Sequence, residues 1–585
     1  MTAALLRSKI IETVSKNGGH LASSLGAVEI SMALAEVFNP AVDRIVWDVG
    51  HQSYAWKILT GRDESFSSLR RFGGLSGFPN PAESPCDAAV AGHAGVALSV
   101  AEGYAAARDL RGSDENVIAV VGDASIVNGT SFEALNNCIC ATRKVILVLN
   151  DNGMSISKPT GSFSRFLGRL ISGVKYNRMK AAAERAGHAL RLTFLRRLYH
   201  NVESRIKSLF LGNRYFEQFG LRYIGPVDGH NLDALKAAFT VAKEDKRSVI
   251  VHVVTKKGNG FKPAEESPTI WHGVGPFDPE SANNADGKLQ GGSERTWSDV
   301  FGAALVSCAE KDSRIVALTA GMAEGTGLGK FAEKFKTRFF DVGIAEGHMV
   351  SFAAGLAAGG MRPVVAVYST FLQRAVDHVM HDVAIAKLPV VFCVDRAGVV
   401  GSDGVTHQGL YDMAMLRAVP NLVICQPRDA EDMRSLLNEA LERGGPTLIR
   451  YPRGEAPDRI EPAPGRKDSS LCIVATGDEY SKAKILGEMF SAEVIQARYI
   501  KPFDLEKVDF FKKSGYKIAS IENGSVACGL GEMIGADYKF GWPDRFIPHG
   551  DIASLEKSCA LDIDSIASEL ERAGFKKVCR EVYNG

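Results

Sequence analysis

Two apolar runs in this chain each end in a cluster able to hold a cation. Val117-Ile118-Ala119-Val120-Val121 leads into Gly122-Asp123, and Val145-Ile146-Leu147-Val148-Leu149 leads into Asn150-Asp151-Asn152. An apolar run with no polar alternation reads as a strand buried on both faces of a parallel sheet. Ligands of such sheets bind at the carboxyl ends of the strands. Asp123 and Asn152 therefore read as oxygen ligands at neighbouring strand ends. Mg2+ is usually held in this way, by one or two protein groups plus the phosphates of a substrate or cofactor. Such clusters also form ordinary turns, so the assignment needs support from the rest of the chain.

The elements that must position these groups are α/β throughout. Strand-like runs alternate with helix-like stretches, as in proteins built on parallel sheets. Two stretches break the alternation and read as linkers: Glu280-Ser281-Ala282-Asn283-Asn284-Ala285-Asp286-Gly287, continuing to Ser293, and the Pro-containing, charged stretch from Gly454 to Ser470. Three domains follow, 1–284, 285–458 and 459–585, each with a mostly parallel sheet flanked by helices. Strands are expected at 315–319, 363–367 and 389–394 in the second and at 471–475 and 517–521 in the third.

Composition narrows the class of function. The chain has 585 residues, 45% of them hydrophobic, and a net charge of +1. That suffices for several cores and supplies no global field for nucleic acid or an anionic membrane. No apolar stretch is long enough to span a bilayer, and Met1–Arg7 reads as the start of a helix rather than a signal peptide. The expectation is a cytoplasmic protein. The ten cysteines are scattered without metal spacing, and Cys393 and Cys425 sit in strand-like runs, so reduced thiols are expected. Cys138 and Cys140 are expected to face different ways on one helix. Between Gly161 and Tyr215, twelve Lys or Arg face two Asp or Glu. This segment reads as a solvated basic helix pair; alternatives are a positive cover that draws in anionic substrates and a membrane-surface element.

Glu346, in Phe340-Asp341-Val342-Gly343-Ile344-Ala345-Glu346-Gly347-His348, reads either as an exposed helix-cap residue or as a buried proton carrier. The spacing of Asp123 and Asn152 resembles the GDG…N motif of thiamine-diphosphate enzymes. Nearly the whole chain resembles the 1-deoxy-D-xylulose-5-phosphate synthase family of transketolase-like enzymes. The resemblance rests on Asp48–Tyr54, Gly225–Asn231, Thr255–Phe261, Tyr368–Arg374, Asp395–Gly401, Asp403–Gly409 and Tyr451–Gly454.

The resemblance implies a transketolase-like thiamine-diphosphate-binding fold: a diphosphate- and Mg-binding first domain, a pyrimidine-binding second domain and a C-terminal transketolase-like domain. It implies thiamine diphosphate with Mg2+, the metal held by Asp123, Asn152 and the carbonyl of Met154. His51, His93, Gly122, Asp123, Ala124, Ser125 and Asn152 would line the cofactor together with Phe371, which packs on the aminopyrimidine. Glu346 would hydrogen-bond the aminopyrimidine, where burial would keep it partly protonated. Arg396 and Arg453 would bind the phosphate of the acceptor, a task suited to guanidinium forks. Tyr368, Arg374, Asp403 and His407 would line the acceptor site, and His51, His272 and His407 would carry protons. His188, His200 and the other histidines read as surface.

The implied reaction joins pyruvate to D-glyceraldehyde 3-phosphate with loss of CO2. It yields 1-deoxy-D-xylulose 5-phosphate, a precursor of isoprenoids and of the thiamine and pyridoxal cofactors. The partners are then small molecules only, and the assembly a homodimer. The alternatives are another transketolase-type ketol transfer and a non-catalytic, cofactor-poor paralogue. Three departures from the family pattern all fall on the cofactor side. Ala124 stands where the motif has its second glycine, Gly95-Val96-Ala97 lacks the usual hydroxyls, and Gly347 replaces a glutamine.

Overall fold

The computed structural model describes residues 1–153, 213–282, 295–465 and 469–578. The basic segment, apart from residues 213–215, and Met154 lie outside the described residues. The chain divides into two compact units, Met1–Arg70 with Gly74–Gln290, and Arg71–Gly73 with Gly291–Gly585.

The first unit is built on five strands: β1 (Arg44–Trp47), β2 (Val117–Gly122), β3 (Ile146–Asp151), β4 (Arg222–Asp228) and β5 (Val249–Val254). They lie in the order β1-β2-β3-β5-β4, and every pair is parallel. Side chains of successive strand residues leave on opposite faces. Ile118, Val120, Ile146, Val148, Val249 and Val251 therefore enter one core, and Val117, Ala119, Val121, Leu147, Leu149 and Ile250 another. With both faces covered, an uninterrupted β-branched run is the stable sequence for such a strand. The register sets Gly122 opposite Asn150, so the polar residues that follow both strands emerge at one edge.

The helices Ala97–Arg111 and Gly129–Ala141 cover one face of this sheet. Asn128 caps the second by accepting the Thr130 N–H at 3.1 Å, a contact worth about 1 kcal/mol. Cys138 is buried and Cys140 exposed. Between the two helices lies Glu102, hydrogen-bonded to Asn137 and Cys138. Its Oε1 has no hydrogen-bond partner among the described residues. Burial pushes its carboxyl up to about 7, and burial with the neighbouring Glu102 pushes the Cys138 thiol up to about 12.

In the second unit a seven-stranded sheet runs in the order β14-β10-β11-β9-β8-β6-β7. Its strands are β6 (Ile315–Thr319), β7 (Phe339–Asp341), β8 (Arg362–Tyr368), β9 (Val391–Asp395), β10 (Val423–Cys425), β11 (Thr447–Arg450) and β14 (Tyr499–Lys501). All pairs are parallel except the edge, where β14 runs antiparallel to β10. A four-stranded parallel sheet, β13-β12-β15-β16, holds β12 (Leu471–Thr476), β13 (Glu493–Ala497), β15 (Lys517–Ser525) and β16 (Tyr538–Trp542). The strands expected at 315–319, 363–367, 389–394, 471–475 and 517–521 all fall on observed strands, and the α/β class is as expected.

One buried ionic group ties these sheets together. Arg450 donates to both Asp412 carboxylate oxygens at 3.0 and 3.1 Å, to Gln426 Oε1 at 2.7 Å and to the Asn523 carbonyl at 2.9 Å. The guanidinium is fully buried, a state that survives only when its donors are met. The nine described cysteines are free thiols, and among the described residues no helix is long and apolar enough to cross a membrane.

Glu102 gives a pH signature. Between its ordinary value of 4.5 and about 7, the unfolded chain releases a proton that the folded chain retains. Stability therefore falls as pH rises through that window and stays reduced above it. Glu102→Gln is expected to raise the unfolding midpoint at pH 8 while matching the wild type near pH 4.5. Identical midpoints at pH 8, in urea titrations followed by circular dichroism, would show that the carboxylate carries no penalty.

Candidate active site

In the first unit the strand-end edge gathers buried charge. The Asp123 N–H donates to the Asn150 carbonyl at 3.1 Å, which brings the Asp123 side chain to the level of Asp151. Burial pushes the Asp123 carboxyl up to about 8, the Asp151 charge adds to this, and Lys257 opposes it. Lys257 is itself pushed down to about 8 by burial, against the pull of Asp123. The site is thus a pair of buried carboxylates with one buried ammonium, a local excess of negative charge that a divalent cation would offset. Among the described residues no group of three or more His, Cys, Asp or Glu is arranged to hold a metal.

The residues behind this edge are committed to structure. Asn150 Nδ2 donates to Gln52 Oε1 at 2.8 Å, and its Oδ1 accepts the Thr255 hydroxyl at 2.6 Å. The interior amide is thus used up, while the half-buried Asn152 stands at the rim. Asp151 Oδ2 meets His252 Nε2 at 2.9 Å, and His252 Nδ1 meets the Tyr223 hydroxyl at 2.7 Å. This chain orients the carboxylate from behind, as outer partners do in metal sites.

The turn after β1 brings in Asp48 and His51. Asp48 accepts the backbone N–H groups of Gly95, Val96 and Ala97 at 2.9, 3.0 and 3.0 Å and is hydrogen-bonded to Ser125. Its carboxylate thereby satisfies the start of the helix Ala97–Arg111, where negative charge is favoured. Val49 is held at φ +58°, a conformation rare for a β-branched residue and found where a site dictates the backbone. His51 follows, its carbonyl accepting the Ser24 hydroxyl at 2.9 Å.

Three imidazoles converge here. Ring centroids of His51 and His272 are 5.2 Å apart, and His20 lies 6.0 Å from His51 and 5.7 Å from His272. Burial holds His272 well below the ordinary histidine range, and the charges of Lys257, His51 and His20 push the same way. His93 is half-buried in the turn before the same helix. His20, expected at the surface, belongs instead to this cluster. A polar residue beside two glycines carries no periodic signal, so nothing in its local pattern marked it. Lys257 and Asp48 lie inside the stretches that carry the family resemblance, and their contacts here show what each one faces.

In the second unit Glu346 opens the helix Glu346–Ala358 and is 4% exposed. Its Oε2 has no hydrogen-bond partner among the described residues. Burial raises its carboxyl above the ordinary range, against the pull of Arg374. Of the two settings read from the sequence, exposed cap and buried carboxyl, the structure shows the buried one. Leaving a buried carboxyl oxygen unpaired costs about 1–3 kcal/mol or more.

The remaining residues of this half cluster after β8 and β9. The Arg396 guanidinium stacks on the Tyr368 ring at 3.8 Å. Phe371 stacks with Tyr368 at 5.8 Å and meets His407 edge-on at 5.7 Å. Arg453 lies 3.7 Å from Asp403 and is about half exposed. Arg396 sits at φ +57°, immediately after the buried Asp395, which accepts the Ser298 hydroxyl at 2.6 Å. Burial pushes Asp395 up to about 6, with Arg396 and Arg453 pulling it down. A Cβ on Gly325 would lie 1.8 Å from the Tyr368 hydroxyl, so only glycine admits this tyrosine.

The three departures have local explanations. Ala124 is not in the left-handed region, so alanine carries no backbone strain there. A Cβ on Gly95 would lie 2.5 Å from Asn128, so no hydroxyl-bearing side chain fits there. Beside Gly347 stands the His378 ring, 2.7 Å from where a Cβ would lie.

The parallel sheets make this an α/β protein, and residues 293–459, which match the family profile described as transketolase, pyrimidine binding domain, place it in the transketolase class of enzymes. Residues 1–255 match the profile described as 1-deoxy-D-xylulose-5-phosphate synthase. The 1-deoxy-D-xylulose-5-phosphate synthase of Syntrophotalea carbinolica is 44% identical, over 97% of this chain and 94% of its own. That of Desulforudis audaxviator is 44% identical, over 98% and 94%. Synthase 2 of Geobacter sulfurreducens is 43% identical, over 97% and 95%. The chain belongs to the 1-deoxy-D-xylulose-5-phosphate synthase family.

His272 supplies an acid-stability test. Above its ordinary value of 6.5 the imidazole is neutral in both folded and unfolded chains. Below it the unfolded chain takes up a proton that the buried ring refuses, so stability falls as pH drops, by up to about 1.4 kcal/mol per pH unit. His272→Asn is expected to flatten the slope of unfolding free energy between pH 6.5 and 5 by about that amount. An unchanged slope would mean that His272 is protonated in the folded chain.

Proposed function

We propose that this chain is a thiamine-diphosphate-dependent transferase that joins pyruvate to D-glyceraldehyde 3-phosphate, releasing CO2 and forming 1-deoxy-D-xylulose 5-phosphate. The observation that carries the reading is the buried Glu346 oxygen without a partner, in a chain 44% identical to named synthases over nearly its whole length.

The residues present fit the cofactor. Asp123 and Asp151, buried with a single lysine, leave negative charge for Mg2+, and Glu346 offers an unpaired acceptor to an aminopyrimidine. Asp123, Asn152 and the Met154 carbonyl would hold the metal. His51, His93, Gly122, Ala124 and Ser125 would line the diphosphate, and Glu346 and Phe371 the pyrimidine. Bound there, thiamine diphosphate supplies the electron sink that accepts the pair released with CO2. Glu346, its carboxyl raised by burial, would hydrogen-bond the aminopyrimidine and hold a proton there. Arg396 and Arg453 bind the acceptor's phosphate as fixed cations, with Tyr368, Arg374, Asp403 and His407 around the sugar carbons. His51 and His272, joined by His20, move protons to and from the substrate oxygens. The first segment, 1–284, serves the diphosphate, 285–458 the pyrimidine, and 459–585 forms the transketolase-type C-terminal domain. The working assembly is a cytoplasmic homodimer, which light scattering would test.

Wild-type protein supplied with thiamine diphosphate, Mg2+ and both substrates is expected to release CO2 and form 1-deoxy-D-xylulose 5-phosphate, detected by a coupled reductase assay. Glu346→Gln should lose at least about 100-fold in kcat with an unfolding midpoint no lower than that of the wild type; near-normal turnover would remove Glu346 from the chemistry. Asp123→Asn should weaken Mg2+-dependent cofactor binding about tenfold or more, read by calorimetry. Equal affinity would place the metal elsewhere.

A further inference from the structure

The loop that carries Arg396, Asp403 and His407 is drawn together at its base. The N–H groups of Gly398 and Gly409 each donate to the other's carbonyl at 2.7 Å. Against this base stands Asn523, in β15 of the four-stranded sheet. Its Oδ1 accepts the Val399 N–H at 3.3 Å and the Trp542 indole N–H at 3.1 Å. Its Nδ2 donates to Asp478 Oδ2 at 2.6 Å, and its carbonyl accepts from Arg450 at 2.9 Å. Gly398 is at φ +86°, and a Cβ there would lie 2.1 Å from Asn523 Nδ2. Loop and amide therefore interlock, with no side chain able to stand between them.

The chemistry of this position requires an amide. It must accept two N–H groups on one side and donate to a carboxylate on the other, which asparagine does with one planar group. An aspartate would keep both acceptances but set a second carboxylate against Asp478. An alanine would abandon both donors and the carboxylate. The same network also reaches the other arginine. Arg450, which donates to the Asn523 carbonyl, ends β11 three residues before Arg453, and the Tyr451 carbonyl between them accepts the Ala397 N–H at 3.0 Å. The backbone bearing Arg396 is thus hydrogen-bonded to the backbone bearing Arg453 and, through Val399, to the Asn523 amide, while the Arg450 side chain reaches the main-chain carbonyl of the same asparagine.

We propose that Asn523 is a positioning residue for phosphate recognition: it fixes the loop and strand from which Arg396 and Arg453 reach the acceptor's phosphate. Selectivity for a phosphorylated over an unphosphorylated aldehyde then depends on an amide that touches neither substrate nor cofactor. A misplacement of guanidinium groups by a fraction of an ångström is enough to weaken bidentate contacts. The inference rests on the reading that these two arginines bind the acceptor phosphate.

The test compares the wild-type holoenzyme with Asn523→Ala and Asn523→Asp. KM is measured for D-glyceraldehyde 3-phosphate, for unphosphorylated D-glyceraldehyde and for pyruvate, and glycerol 3-phosphate binding by calorimetry. Both variants are expected to raise KM for the phosphorylated aldehyde about tenfold, to weaken glycerol 3-phosphate by a similar factor, and to leave the other two KM values within about twofold. The aspartate variant preserves side-chain volume and settles the matter if the alanine variant does not fold. Parallel losses for both aldehydes would overturn the proposal in favour of a general structural role. Equal glycerol 3-phosphate binding by wild type and folded variants would overturn it as well. Failure of the wild type to form product, with glycerol 3-phosphate binding still dependent on Asn523, would overturn the reaction assignment and uphold the positioning role.

Discussion

Parallel pairing between β2 and β3 is the constraint on which the first unit depends. Strands that run side by side in one direction all end at the same edge, and their interiors are closed to water on both faces. Polar residues are pushed to the strand ends, where the backbone leaves the ladder and side chains regain freedom. Asp123 and Asp151 are brought level by that register alone. Their mutual repulsion and burial make the edge unfavourable to anionic groups unless a cation joins them. The supporting residues reduce this tension without removing it: Lys257 faces Asp123, and the His252–Tyr223 pair holds Asp151 in place.

The second unit uses burial in another way. Glu346 occupies the first position of a helix, where the macrodipole favours a carboxylate, yet desolvation outweighs both that preference and the pull of Arg374. Its surroundings thus disagree about the charge of the side chain. Around Arg396 the opposite choice is made. The guanidinium is fixed against an aromatic face, its backbone is forced into the left-handed region, and a carboxylate immediately precedes it. Burial thus shifts the carboxyl in one place, while in the other the guanidinium keeps its charge.

Much of this organisation is legible in the primary structure where a feature is local. The strands at Val117–Gly122 and Ile146–Asp151 announce themselves because central parallel strands tolerate few polar residues. The α/β class follows from repetition of that pattern. Features assembled from distant segments are not legible in the same way. His20 joins His51 and His272 through tertiary packing, and no spacing in the chain marks it. The capping of a helix by Asp48 spans forty-odd residues and appears in no window. Whether Ala124 is tolerable turns on a single dihedral angle, which residue identity does not report. The three-residue β14 is too short for any periodicity to reveal.

That short strand has a wider consequence. By pairing antiparallel with β10, β14 covers the open hydrogen-bonding edge of the seven-stranded sheet. An uncovered edge of this kind offers a row of unmet N–H and C=O groups to any neighbouring chain and nucleates self-association. During synthesis β10 emerges long before β14, so the nascent sheet passes through an interval in which its edge is unguarded. A strand from later in the chain thus guards an edge made from an earlier part, and a chain cut short after β11 would leave that edge bare.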